Sequence, residues 1–334
     1  MADVTGDRQT GAVLLIVVLA LGAALLYGVA DFMSGVAARR IPVLVATRIN
    51  YAFATVVLVI VVLADGGVWS HQAIVCGQVA GVLAAVGFLT FTGALAAGPI
   101  SLMTPLIALL SSAVPVVVAL VLGDRLEPIA WIAIGVAIVG SVLIGVERRV
   151  SARSAKPRTL VFAVISGVCF GFATVALDAA PADAGMVPVF LDTTAGLVLL
   201  LVLVGLARTL PVMARAVAVL DAHPADPALH LAAVSTPGAA RLAPDGARAV
   251  ERAADPRRRA RRLAGAAGLF IGVANVLLML ALHAGSVAVV AVLVNLYPVA
   301  TVLLAWVVLR ERINAVQGTG VVLAVAASVM LGLA

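Results

Sequence analysis

Charge is scarce in this chain of 334 residues: Asp, Glu, Lys and Arg together make up 11% of it, against 63% hydrophobic residues. A soluble domain carries about a quarter charged and about half apolar residues. No water-soluble fold has interior enough for this much apolar surface, so the chain belongs in a bilayer. Aromatics are few as well, at 4%, and any interfacial belt of Trp and Tyr is sparse. Only two cysteines occur, Cys76 and Cys169, both inside apolar runs. With no CxxC or Cys/His cluster, nothing suggests a metal or redox site, and both read as small hydrophobes in packed helices. Also missing are GxxxxGKS/T, HExxH, GxSxG and any His/Asp set within one apolar run, so neither ATP hydrolysis nor catalysis has a footing and no cofactor is expected. The first ten residues set Asp3 and Asp7 against Arg8, and the apolar run after them is long, which argues against a signal peptide.

What is present is a series of membrane-length apolar runs. A helix needs about 20 apolar residues to cross the hydrocarbon core. Ten runs qualify: 12–37, 41–64, 73–96, 99–122, 128–146, 159–179, 185–207, 264–284, 286–309 and 315–334. The expected fold is therefore all-α, a polytopic membrane protein of ten transmembrane helices. Gly98 alone separates the third and fourth runs, and Gly285 the eighth and ninth. Neighbours joined so tightly must be antiparallel.

Part of the chain occurs twice. One shift of 187 residues aligns Gly98 with Gly285, Asp124 with Glu311 and Arg125 with Arg312. Over 94–146 and 281–333 it gives 14 identities in 53 positions, Ser141/Ser328 and Gly145/Gly332 among them. Two halves follow, 1–147 and 159–334, joined by the charged loop 148–158. Five spans per half is an odd number, so the second half enters the membrane from the opposite side, the inverted-repeat plan of many secondary transporters.

The run Pro298-Val-Ala-Thr, then Leu309-Arg310-Glu311-Arg312, then Gln317 and Gly320 resembles a signature of EamA-type transporters, of the drug/metabolite transporter superfamily. In the first half the same pattern is degraded: Asp124 stands for Glu, Ser111 takes the Pro position and Pro115 lies one turn later. Tyr27-Gly28 is similar to the aromatic-Gly pair of the family's first helix, with Phe170-Gly171 as its second-half counterpart, and Arg48 matches an Arg common in the second span. The resemblance covers nearly all of the chain except 208–263. It implies ten helices, an inverted repeat, and movement of small metabolites or drugs without ATP. The residues do not distinguish amino acids, other metabolites, sugars and drugs.

Basic residues are unevenly placed. Of 22, 19 fall in loops after odd-numbered spans, Arg8 and Arg125 lie on the other side, and Arg48 is within a span. Positive-inside reasoning places both termini outside, whereas the family resemblance implies termini inside. Residues 208–263 are Ala-, Arg- and Pro-rich without a sustained period, and read as an irregular insert, disordered or partly helical. At their end Arg257, Arg258, Arg259, Arg261 and Arg262 form a juxtamembrane basic cluster, a topology anchor or an anionic-lipid site. Nucleic acid is not expected, since no folded module surrounds the cluster.

Charged and polar groups inside spans are costly and are the first functional candidates. Asp31 stands one turn after Tyr27, and an antiparallel hairpin through 39–41 would bring it to the depth of Arg48, where a buried pair would serve as a staple, a gate or a coupling pair. Asp192, followed by Thr193 and Thr194, has no basic partner in its own half. Low dielectric favours the neutral form of a carboxyl, and holding and releasing a proton is what a proton-coupled carrier needs; against this, 185–190 is short, which would leave Asp192 hydrated near the interface. Asn295 and Tyr297 flank the start of the Pro298 run, where a missing backbone donor lets polar backbone face a cavity. Asn275, Thr90 and Thr92 could join it, or act as interhelical glue. Asp178 and His283 end spans and read as interfacial. The expected protein is thus a multi-pass carrier of the inner or plasma membrane, exporter-like and working by alternating access. Tyr27, Asn275, Asn295 and Tyr297 would line its cavity, and Asp31, Arg48 and Asp192 would serve coupling or gating. A non-transporting scaffold or an intramembrane enzyme is the alternative.

Overall fold

The computed structural model describes residues 3–97, 100–123, 128–145, 157–212, 256–309 and 315–331. Every regular element among them is helical: α1 Asp3–Ala38, α2 Val43–Asp65, α3 His71–Ala97, α4 Ile100–Val121, α5 Pro128–Gly145, α6 Pro157–Asp178, α7 Val187–Thr209, α8 Pro256–Ala284, α9 Val287–Val294, α10 Tyr297–Leu309 and α11 Ala315–Leu331. A short 3-10 turn, Ala182–Ala184, precedes α7. Six helices are long and apolar enough to cross a membrane: α1, α2, α3, α6, α7 and α8. Elsewhere the apolar stretches are shorter, Leu106–Val121, Trp131–Gly140 and Val287–Thr301. Large apolar side chains stay exposed along the outer faces, Leu63 at 78% and Ile60 at 65% among them. The bundle is apolar outside as well as inside, as a lipid-facing surface must be.

Two expectations change. The ninth expected span, 286–309, is broken at Asn295–Leu296 into α9 and α10. Pro298 lacks the N–H that would continue the ladder and instead sits in the first turn of α10, where that donor is not needed. The eighth begins eight residues early, so the end of the insert, 256–263, is part of α8 and carries all five clustered arginines. Tertiary packing rather than local period sets that boundary, since Ala260 is buried. Residues 213–255 lie outside the described residues, as do the matched Asp124, Arg125, Glu311 and Arg312.

Small residues decide how the helices meet. Between apolar helices in lipid, close backbone approach replaces hydrophobic burial as the main attraction. α1 packs on α8 and α3 on α6; α3 packs on α7 and α8 on α2; α4 packs on α6 and α10 on α1; α5 packs on α11 and α2 on α7. At several of these crossings a glycine faces backbone. A Cβ on Gly81 of α3 would sit closer than 3.0 Å to the Asp192 carbonyl oxygen and 2.9 Å from Ala195 Cβ. A Cβ on Gly268 of α8 would meet the Asn50 carbonyl and Phe53 Cβ in the same way. Gly28 abuts Tyr297 and Ala300, and Gly171 abuts Ser111 and Val114.

One end of the bundle is clasped by polar contacts. The Asp65 carboxylate accepts the Met186 N–H at 2.8 Å just before α7, satisfying one donor that the helix start leaves open. Beside it Gly185 adopts φ 53, a left-handed backbone in which a side chain would also strike Asp65. Val68 N–H donates to the Asp183 carbonyl at 3.1 Å, joining the α2–α3 connection to the α6–α7 connection.

Candidate functional site

Most of the polar residues singled out inside the spans converge. A cavity of about 140 Å³ lies in the middle of the bundle, walled by Tyr27 and Asp31 of α1, Tyr51 of α2, Phe88 and Phe91 of α3, and Ser111 of α4. Phe170 and Thr174 of α6, Asp192 and Thr193 of α7, and Asn275 of α8 continue the wall. Asn295 and Tyr297 close it at the α9–α10 break. A void holding one water needs about 10–15 Å³, so this one accommodates a small organic solute or a cluster of waters.

Two hydrogen-bonded chains set its shape. Tyr27 Oη donates to Asn275 Oδ1, and Asn275 Nδ2 donates to Thr193 Oγ1 at 3.3 Å, linking α1, α8 and α7. Across the cavity Ser111 Oγ donates to Asn295 Oδ1 at 2.6 Å, and Asn295 Nδ2 caps the Ala291 carbonyl at 2.8 Å. The Asn295 side chain thus holds α4 against the broken helix. Thr301 Oγ1 reaches the Gly28 carbonyl at 3.2 Å, anchoring α10 on α1.

The aromatic wall is continuous. Ring centroids of Phe88 and Phe91 lie 5.7 Å apart, Phe91 and Phe170 6.0 Å, Tyr51 and Phe88 6.0 Å, and Phe91 and Tyr297 6.5 Å. Most of these pairs meet edge to face, the favoured geometry for aromatic contacts.

Among the described residues, Asp31 and Asp192 supply the only formal charges in the wall. Both are buried, at 7% and 6% exposure. The Asp192 Oδ1 atom has no hydrogen-bond partner among the described residues. Its place corrects the expectation of a hydrated interface: α7 starts at Val187 behind the clasp at Asp65, and Gly81 lets α3 press onto the backbone of Asp192 itself. The hairpin does not join Asp31 to Arg48. No ion pair links them among the described residues, because Asp31 faces the cavity while Arg48 is part-exposed and absent from its wall. Thr90 and Thr92 do not reach the cavity either; each hydroxyl donates back to its own helix, to Val86 at 2.8 Å and to Phe88 at 2.8 Å. Asp178 and His283 are exposed at helix ends.

Sequence reasoning missed Tyr51, Phe88, Phe91 and Thr174. Constant shifts along the sequence held the signal. The shift of 187 residues that relates Gly98 to Gly285 also relates Gly81 to Gly268, and it pairs Ala84, Phe88 and Phe91 with Ile271, Asn275 and Leu278. These last six residues all line the cavity. A shift of 143 takes Tyr27 to Phe170 and Asp31 to Thr174, again wall to wall.

A second concavity, about 430 Å³, opens at the turn between α1 and α2. Arg39 and Arg40 line it with Arg257 and Arg261 from the first turns of α8. Arg257 and Arg261 are four apart and so share a helix face; Arg258, Arg259 and Arg262 are exposed on other faces.

The family model described as "EamA-like transporter family" matches residues 14–146 and 226–333, more than half of the chain. Its second region starts inside the Ala/Arg/Pro-rich segment that the motif likeness had left out, and omits α6 and α7. No curated protein matches. Among solved structures 27 chains do. One, described as "Crystal structure of protein", superposes with a TM-score of 0.61 at 17% identity, over 95% of this chain and 98% of that one. That likeness shows a shared fold.

Proposed function

Because this chain belongs to the EamA-like transporter family, a group of polytopic membrane transporters within the drug/metabolite transporter superfamily, we propose that it moves a small organic solute by alternating access through the central cavity. The carrying observation is the cavity itself: buried, mid-bundle and polar on two sides, it lies between helices of both halves. A scaffold has no use for such a void, and the family this chain belongs to is one of transporters rather than enzymes.

The proposed architecture is ten crossings in two inverted five-helix repeats, 1–147 and 159–334, with α9 and α10 together making one broken crossing. The packing supports it. Exchanging α1 with α6, α2 with α7, α3 with α8 and α4 with α9–α10 maps α1–α8 onto α6–α3, α3–α7 onto α8–α2, and α4–α6 onto α10–α1. The glycine contacts follow the same exchange: Gly81 on Asp192 matches Gly268 on Asn50, and Gly28 on α10 matches Gly171 on α4. A carrier so built rocks one bundle against the other around a fixed midplane site.

Exporter-like, proton-coupled movement across the plasma membrane is the fuller proposal. Asp31 and Asp192 are its coupling groups, and Tyr27, Tyr51 and Tyr297 are the other titratable side chains facing them. Arg48, outside the wall, is proposed as a gating residue at the α1–α2 end. The basic pocket of Arg39, Arg40, Arg257 and Arg261 is proposed to hold an anionic lipid headgroup. The test is reconstitution of the purified chain in sealed vesicles, with counterflow of candidate solutes and flux under imposed pH gradients. Counterflow of at least one solute is expected; its absence for every class of solute would sink the carrier assignment.

A further inference from the structure

Resting on the carrier reading, we propose that the cavity takes a compact organic cation, an amine or quaternary ammonium with an apolar or aromatic body. Apart from tyrosines, the only ionisable groups in the wall among the described residues are carboxyls, so any charge it carries is negative. Asp31 and Asp192 face the cavity, and no Lys, Arg or His among the described residues lines it. A buried carboxylate is tolerated when something pairs with it, yet Asp31 and Asp192 form no ion pair among the described residues, and Asp192 Oδ1 has no hydrogen-bond donor there. An anionic solute would meet like charge in low dielectric and be rejected.

The rest of the wall suits the same ligand. Cations are attracted to the faces of aromatic rings within about 6 Å of the centroid. Phe88, Phe91, Phe170, Tyr51 and Tyr297 form a network with neighbouring centroids 5.7–6.5 Å apart, so a cation among them contacts several rings at once. Tyr27 and Tyr51 lie within electrostatic reach of Asp192, and Tyr27 and Tyr297 within reach of Asp31. Aromatic faces and carboxylates therefore bound one space.

The scaffold does not need these acids. The residue 143 positions after Asp31 is Thr174, which occupies the matching place in the wall. Asn50 matches Asp192, since each presents its carbonyl to the equivalent glycine, Gly268 or Gly81. At the first station a neutral polar residue takes the matching place in the wall; at the second, Asn50 lies outside the wall and donates to Ser34 Oγ at 2.9 Å. The two carboxylates are additions to a shared frame, placed where they face a ligand. A proton and the cation compete for the same oxygens, so binding weakens as pH falls.

The experiment uses the full chain in nanodiscs with benzyltrimethylammonium, its uncharged isostere neopentylbenzene, and the anion phenylacetate. The cation is expected to bind at least about tenfold tighter than the isostere, with Asp192→Asn losing about 10- to 100-fold of the cation affinity. The isostere should be indifferent to that change. Equal affinity of wild-type protein for cation and isostere overturns the proposal, as does undiminished cation binding in both Asp192→Asn and Asp31→Asn. The wild-type comparison stands even where a variant fails to fold. In vesicles, counterflow of phenylacetate or a neutral solute without the cation overturns the cation assignment and leaves the carrier intact. Cation binding with no counterflow of any solute keeps the assignment and removes the carrier.

Discussion

Replacing Gly81 by Ala should damage this protein out of proportion to the one methyl group added. The new Cβ would lie 2.9 Å from Ala195 Cβ and closer still to the Asp192 carbonyl oxygen. Carbon–oxygen contacts between packed helices run at about 3.3 Å or more, so α3 and α7 would have to part by roughly an ångström. Neither partner is a flexible side chain that could swing aside. Overpacking of this kind costs about 1–3 kcal/mol, and here it also displaces the backbone that aims Asp192 into the cavity. Gly135 and Gly205 provide the control: both are helical glycines at which an added methyl would meet nothing within 4 Å, so Ala there is neutral or mildly stabilising through helix propensity. Unfolding of each purified variant in mixed micelles by detergent titration gives the comparison. Gly268→Ala should behave as Gly81→Ala does, since it meets the Asn50 carbonyl in the same way. If Gly81→Ala proves as benign as Gly205→Ala, the close crossing of α3 on α7, and the burial of Asp192 argued from it, is wrong.

Further outcomes follow from the same geometry. Asp31→Asn should lower pH-gradient-driven flux at least about tenfold, the scale of losing one charge-assisted interaction, while leaving insertion unchanged; equal flux across several pH gradients would remove Asp31 from coupling. Tyr27→Phe leaves Asn275 Oδ1 buried without its donor and should destabilise by about 1–3 kcal/mol, read by the same detergent titration; Asn275→Ala made on top of it should then add little. Arg257→Gln with Arg261→Gln should reduce anionic lipid retained on the purified protein, as seen by native mass spectrometry, whereas Arg258→Gln with Arg262→Gln should not. Equal loss in both pairs would mean that the cluster acts by diffuse charge rather than through the pocket beside Arg39 and Arg40.

Much of the fold was legible because hydropathy and length speak directly to the bilayer. Helical character and the polar candidates inside the spans, Tyr27, Asp31, Asp192, Asn275, Asn295 and Tyr297, could all be read from isolated residues in apolar runs. Each of those six lines the cavity. Pairing was harder. Asp31 and Arg48 share a depth on a hairpin, but depth does not fix which way a side chain faces, and only Asp31 turns inward. The aromatic wall was hidden because Phe88 and Phe91 look like any apolar residue in an apolar helix. Only the shift of 187 residues, carried back from Asn275 and Leu278, marks their positions as facing the centre. The burial of Asp192 depends on contacts far apart in sequence, Gly81 against its carbonyl and the Asp65–Met186 clasp 121 residues apart.

In the proposed two-repeat frame, the chemistry lies where the halves differ: Asp31 against Thr174, Asp192 against Asn50, Asn275 against Phe88. The cavity lined by Asp31, Thr174, Asp192, Asn275 and Phe88 is proposed to open to each side of the membrane in turn. Thr174→Cys, in a protein with Cys76 and Cys169 replaced, puts a single thiol on its wall. Labelling by a membrane-impermeant thiol reagent, added to one side of sealed vesicles and then to the other, measures access directly. Reaction from either side, never from both in one state of the protein, and slowed by a transported solute, is the expected result. A thiol that reacts from neither side, or from both at once, contradicts the account.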